Sequence, residues 1–210
     1  MFEAMKQFKL LPLLIGTLLI LIVGSATAAT QAVQPQKESA FVRQTSRLLQ
    51  TRYPNVAAAT KAGYVKMREL DKDNTIIYTN FDYKLISIDR PNFLWYDRNG
   101  RLVGVDYEFP KSAYPAPPKR FPVLVSRWVT IGEHVHFAYA LNGKTVRHGG
   151  PASPGLRRDP ISLSALQKAK LVPAGAHLLW ATYHPTCWDL GFWTVTNPAG
   201  PFAEHNALVK

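Results

Sequence analysis

A chain of 210 residues is long enough for one domain with a real core and short for two. At 47% hydrophobic residues it is globular rather than disordered, and a net charge of +11 with a pI of about 9.8 suits acidic surfaces. No run of four or more Lys or Arg occurs, so the charge reads as a solvated surface; no nucleic acid is expected, and an anionic cell-surface polymer is the partner this charge would suit.

Residues 1–29 read as a signal peptide. Lys6 and Lys9 form the basic region, Leu10 to Val23 the apolar run, and Ala26-Thr27-Ala28 the small-residue cleavage site. The run is short for a membrane span, which needs about 20 residues, and no second span follows. The alternative is an uncleaved N-terminal anchor. The expected product is a single exported domain over residues 30–210, periplasmic or secreted, without a membrane span. Loss of Lys6, Lys9 and Glu3 leaves it a net charge of about +10.

Thr30 to Lys37 reads as a flexible lead-in. Glu38 to Thr51 places Phe41, Val42, Leu48 and Leu49 on one side and Arg43, Arg47 and Arg52 outward, which predicts an amphipathic helix. After Pro54, Asn55 caps a second helix over Val56–Ala62, and Gly63 ends it. Tyr64–Leu70 and Thr75–Tyr83 read as strands around the turn residues Asp71-Lys72-Asp73-Asn74, and Tyr83–Ile88 as a further extended piece.

Asn92–Asp97 and Arg101–Phe109 flank Asn99-Gly100, a strong hairpin signal in which both turn positions take positive φ. In the second strand Val103, Val105, Tyr107 and Phe109 face the core, and Leu102, Gly104, Asp106 and Glu108 face solvent. Pro110 to Pro122 is too proline-rich for a central strand and reads as a loop or edge cover. Val123–Thr130 and Glu133–Leu141 are strands separated at Gly132.

Asn142 to Arg158 is expected as a mobile lid or exposed excursion. Asp159-Pro160 is expected to open a helix that runs through Ser162–Lys170 and stops at Pro173-Ala174-Gly175. His177–Tyr183 and Leu190–Val195 close the sheet. The five tryptophans sit in or beside these strands and are assigned to the core. The fold class is α+β: an N-terminal helical pair on one face of a largely antiparallel sheet, with one later helix.

The most chemically specific feature is His134-Val135-His136. Alternation puts both imidazoles on one face of a strand, roughly 6.6 Å apart along the backbone, where they can converge on one ion at about 2.0–2.1 Å each. A third donor can come from His184, Cys187 or His177, and the His184–Cys187 turn can aim both side chains one way. Histidine with thiolate suits zinc or copper. Glu133 points to the opposite face. The competing reading is a half-buried sheet face with ordinary hydrogen bonds. Cys187 is the single cysteine, so no internal disulfide forms; it is a buried thiol, an intermolecular bridge or a metal ligand.

No Gly-x-Ser-x-Gly elbow, Gly-x-Gly-x-x-Gly or phosphate loop is present. Asp106, Glu108 and Asp189 are acid–base groups that no spacing pairs, and no catalytic residue is assigned. Arg147, Arg157, Arg158, Lys119 and Arg120 lie in the two long loops, where a polyanion would meet them. The expected role is thus a small module holding zinc or copper through the His-x-His strand. A noncatalytic surface- or polyanion-binding protein is second, and a metal-dependent hydrolase third.

Four segments carry a resemblance. They are Arg101-Leu-Val-Gly-Val-Asp-Tyr107, the His134-Val-His136 step, the opening Tyr53-Pro-Asn-Val-Ala with Ala62-Gly-Tyr64, and the closing Trp193-Thr-Val-Thr-Asn-Pro-Ala-Gly-Pro-Phe-Ala. Together they resemble an uncharacterised family of exported bacterial proteins. The resemblance implies export and a shared fold. The chain departs from that pattern at Gly191, where a further histidine is expected.

Overall fold

The computed structural model describes residues 35–68 and 73–210. The expected signal peptide and the turn residues Asp71-Lys72 lie outside these.

A helix over residues 35–52 (α1) carries Phe41, Val42 and Leu49 into the core. Leu48 was expected with them but is 45% exposed; Thr45 and Ser46 are buried in its stead, because the 3.6-residue period turns position 48 to the solvent side. Asn55 caps the helix Val56–Lys61 (α2), its side chain accepting from Ala58 N at 3.0 Å, and Gly63 follows at φ +88°.

Six strands form the first sheet: β1 Val65–Arg68, β2 Ile76–Thr79, β3 Phe93–Tyr96, β4 Leu102–Pro110, β5 Val129–Ile131 and β9 Cys187–Trp193, in the order β1-β2-β3-β4-β9-β5. Every pairing is antiparallel. Tyr83–Leu85, expected as part of an extended piece, is a single 3-10 turn instead, with the Asp82 side chain accepting from Lys84 N at 3.1 Å. In Val123–Thr130 only Val129 and Thr130 join a strand, after a 3-10 turn over Val125–Arg127.

The hairpin between β3 and β4 forms as expected, with one difference. Only Gly100 has positive φ (+73°); Asp97 O accepts from Gly100 N at 2.9 Å, and Asp97 Oδ1 accepts from Asn99 N and Arg101 N. This is a type I turn closed by a left-handed glycine, which suits a longer loop. A register shift between Trp95 and Tyr96 then alters the alternation of β4. Leu102 joins the core with Val105, Tyr107 and Phe109, while Val103 packs with Trp193 and Val209.

The core of the first sheet lies on its α1/α2 side. Leu94, Tyr96, Val105, Tyr107, Phe109, Leu190 and Phe192 meet Phe41, Leu49, Tyr53 and Tyr64 there. The proline-rich segment 111–124 lays Phe121 and Val123 on the same cluster. Of the tryptophans, Trp128 and Trp193 are buried; Trp95, Trp180 and Trp188 are half-buried.

Three strands form the second sheet, in the order β7-β6-β8: β6 His134–Leu141, β7 Lys144–Pro151 and β8 His177–His184. The first half of the expected lid over residues 142–158 is therefore a hairpin turn and strand β7. Asn142 (φ +50°) and Gly143 (φ +74°) form a two-residue hairpin turn with both positions left-handed, and β7 pairs β6 along its whole length. Val135 and Phe137 face a separate core with Leu156, Ile161, Val172 and Leu166 of helix α3, Leu163–Lys168. The cap of α3 is Ser162, whose Oγ accepts from Ala165 N at 3.2 Å. Asp159, expected to open that helix, instead accepts from Tyr183 N at 2.9 Å and Thr182 Oγ at 3.2 Å, tying the loop to an edge of the second sheet.

The architecture is α+β and mostly antiparallel sheet. Among the described residues no helix is long and apolar enough to cross a membrane.

Candidate metal centre

The two sheets meet over their polar faces. On β4 and β9 the side chains opposite the core are Asp106 and Glu108, and Cys187, Asp189 and Gly191, with Glu108 directly across from Asp189. On β6 and β8 they are His134 and His136, and His184 and Thr182, with His134 directly across from His184. Phe81 bridges the layers: it stacks on His136 with ring centroids 5.8 Å apart and meets Phe93 edge-on at 6.2 Å.

This contact overturns the solvated reading of Glu108. Its residue is 6% exposed, because β8 covers it with His184, itself 0% exposed. His184 Nε2 and Glu108 Oε2 are 2.6 Å apart. The carboxylate only accepts, so Nε2 carries the proton and Nδ1 presents a lone pair. Cys187 is 0% exposed, and one donor atom each from Glu108, His184 and Cys187 lie within 4.8 Å of one another. Carboxylate, imidazole and thiol so placed can hold a metal ion. Burial, then the neighbouring Glu108 and Asp189, push the Cys187 thiol well above its ordinary range. Without a cation it is a neutral thiol; a bound metal would have to displace its proton.

Among the described residues, four buried polar atoms around this group have no hydrogen-bond partner: His184 Nδ1, Tyr83 Oη, Asn92 Nδ2 and Asp189 Oδ1. Asn92 is fixed through its other end, Oδ1 accepting from Glu108 N at 2.7 Å. Tyr83 lies edge-on to His184 at 6.2 Å; burial first, then Glu108, hold its hydroxyl strongly protonated. Burial, then Asp106 and Glu108, push the Asp189 carboxyl well above the usual carboxylate range. Buried polar atoms normally have partners, so four without them around one carboxylate mark a polar site rather than a packing face.

The histidine pair is adjacent. His134 stacks on His184 with centroids 4.2 Å apart, and His134 Nε2 lies 2.8 Å from His136 Nε2. His134 Nδ1 donates to Gly132 O at 2.8 Å, which leaves Nε2 as a lone pair. Burial lowers the His134 pKa ahead of the opposing Gly132 bond, so the ring is held neutral, as a metal ligand must be. The 2.8 Å contact is then a hydrogen bond from His136, or two lone pairs on one cation. A cleft of about 320 Å3 lined by Met67, His136, Arg147 and Gly149 opens on this side.

Of the four sequence-predicted ligands, His184 and Cys187 fall in the buried group with Glu108, and His134 and His136 pack beside His184. The donor atoms of His134 and His136 lie beside that group and not within it. His177 is exposed at the far end of β8, opposite Ala140. Glu133 pairs with Arg157 at 2.7 Å and accepts from Tyr183 Oη at 2.9 Å, away from the cluster. Glu108, expected only as an unpaired acid–base group on a solvated face, escaped as a metal-ligand candidate because strand alternation alone cannot show that a second sheet covers the polar face.

Gly191 has a steric reason. A Cβ there would overlap Asp106 Oδ1 and lie 3.3 Å from Trp95 Cη2. The Trp95 ring lies across Gly104 and Gly191 and donates from Nε1 to Asp106 Oδ2 at 2.8 Å. A histidine at 191 has no room while that ring is in place. Comparison with known protein families, with curated proteins and with solved structures found no match.

Proposed function

We propose that this chain is a transition-metal-binding module of an exported protein, holding zinc or copper between its two sheets. The reading is carried by the buried Glu108–His184–Cys187 group, whose donors lie within 4.8 Å of one another. Oxygen, nitrogen and sulfur donors together suit zinc and copper better than magnesium or calcium, which favour oxygen alone. His134 and His136 are the further imidazoles from which coordination would be completed. The metal would neutralise charge beside Glu108, Asp106 and Asp189 and give the surrounding lone pairs a cation to face. Export and membership of the exported bacterial family rest on the sequence: the apolar run Leu10–Val23 with its cleavage pattern, and the four segments quoted above.

Metal analysis and calorimetric titration of the reduced mature chain with zinc and copper test the reading. It expects one tightly held ion per chain and a loss of at least a hundred-fold in affinity for Cys187→Ala or His184→Ala. His134→Ala/His136→Ala should weaken binding as well. Undiminished binding in the Cys187 and His184 variants would remove the proposal.

A further inference from the structure

On the opposite side of the first sheet, a cleft of about 380 Å3 lies between α1 and the segment that follows β9. Arg43 and Arg47 line it from the helix, with Ser46 between them. The other wall is Trp193, Thr196 and Asn197. Among the described residues, no acidic side chain lines the cleft. The walls are fixed to each other, since Gln50 Nε2 donates to Thr194 O at 3.0 Å.

The two arginines differ from their neighbours. Arg52 on the same helix pairs with Asp89, and Arg127 pairs with Glu38 at 3.3 Å. Arg43 and Arg47 are exposed and have no ion pair among the described residues. Four residues apart, their side chains leave one face of the helix roughly 5–6 Å from each other. Two guanidinium forks at that spacing can close on one oxyanion, each giving two parallel N–H donors. The Ser46 and Thr196 hydroxyls supply neutral donors for further oxygens.

We propose that this cleft binds a tetrahedral oxyanion of the phosphate class, carried by a small molecule or a lipid headgroup. A tetrahedral anion offers enough acceptor oxygens for two forks and two hydroxyls at once, which a single carboxylate does not. The proposal is independent of the metal reading, because no residue is shared between the cleft and the inter-sheet site.

The test compares two double variants of the mature chain that remove the same charge. R43Q/R47Q alters the cleft; K144Q/K168Q removes two exposed lysines elsewhere. Each is titrated with inorganic phosphate and assayed for retention on phosphatidylglycerol vesicles at fixed salt, and circular dichroism with thermal unfolding checks that the fold is unchanged. We expect R43Q/R47Q to weaken at least one arm ten-fold or more, with K144Q/K168Q close to the parent. Loss in the phosphate arm alone assigns the free ligand, and loss on vesicles the lipid headgroup. Neither arm responding to R43Q/R47Q, or both variants losing equally, overturns the proposal, since net charge alone would then account for binding.

Discussion

Replacing Gly104 with alanine should disrupt the floor of the inter-sheet site through a single methyl group. The added Cβ would overlap Trp95 Cε3 and lie 2.7 and 2.9 Å from Cζ3 and Cδ2. The ring cannot yield easily, because it packs on Trp193 at 5.1 Å and donates to Asp106 at 2.8 Å. Overpacking typically costs about 1–3 kcal/mol, and losing a hydrogen bond to a charged group roughly 1.5–3 kcal/mol more. A total of about 4 kcal/mol follows, or a fall in Tm of roughly 10 °C for a chain of this size. At Gly191 the first obstacle is Asp106 Oδ1 rather than the ring itself. Moving that carboxylate gives up the same Trp95 bond but adds no direct overlap with the indole, so Gly191→Ala should cost less than Gly104→Ala, about 2–3 kcal/mol. Urea unfolding of both variants, followed by tryptophan fluorescence and circular dichroism, measures the difference. In a Trp95→Ala background, Gly104→Ala should cost less than about 1 kcal/mol, because the obstacle is gone. A neutral Gly104→Ala, or one milder than Gly191→Ala, would refute the placement of the indole.

Tyr83→Phe should stabilise the metal-free protein by about 1 kcal/mol, because it removes a buried hydroxyl that has no partner; a loss of that size in denaturant unfolding would show that the hydroxyl is satisfied. Asp189 has a raised pKa, so the native state keeps a proton that the unfolded chain releases near pH 3.8. Its contribution to stability is complete below that pH and is lost as pH rises through the raised native value. Asp189→Asn should therefore gain on the parent as pH rises above 3.8 in metal-free unfolding, and parallel curves would contradict this. The elevated Cys187 pKa makes a proton compete with the metal, so zinc affinity should rise about ten-fold per pH unit near neutrality from this group alone. Cys187→Ser should flatten that dependence in a competition titration, and an unchanged slope would remove the thiol from the site.

The helical pair was legible because capping and periodicity are local: Asn55, Gly63 and the Phe41–Leu49 stripe signal it directly. Asn99-Gly100 announced one hairpin. Asn142-Gly143 carried the same signal for another, but the Gly- and Pro-rich residues after it masked a strand that lies at a sheet edge, where such residues are tolerated. The shared face of His134 and His136 and the nearness of His184 to Cys187 followed from alternation and turn spacing. Glu108 did not, because burial of a polar strand face depends on which sheet packs over it. That is set by long-range pairing: β5 and β6 are separated only by Gly132 and Glu133 yet belong to different sheets. The shift at Trp95/Tyr96 that reverses Leu102 and Val103 likewise has no sequence signature apart from the glycine on which the indole lies.

Cobalt titration of the reduced mature chain addresses the metal centre most directly, because its spectrum reports a thiolate ligand. The inter-sheet site predicts a near-ultraviolet thiolate-to-cobalt charge-transfer band that saturates at one ion per chain, reverses on adding zinc and disappears in Cys187→Ser. A spectrum with no such band, or a band that survives in Cys187→Ser and His184→Ala, would contradict it.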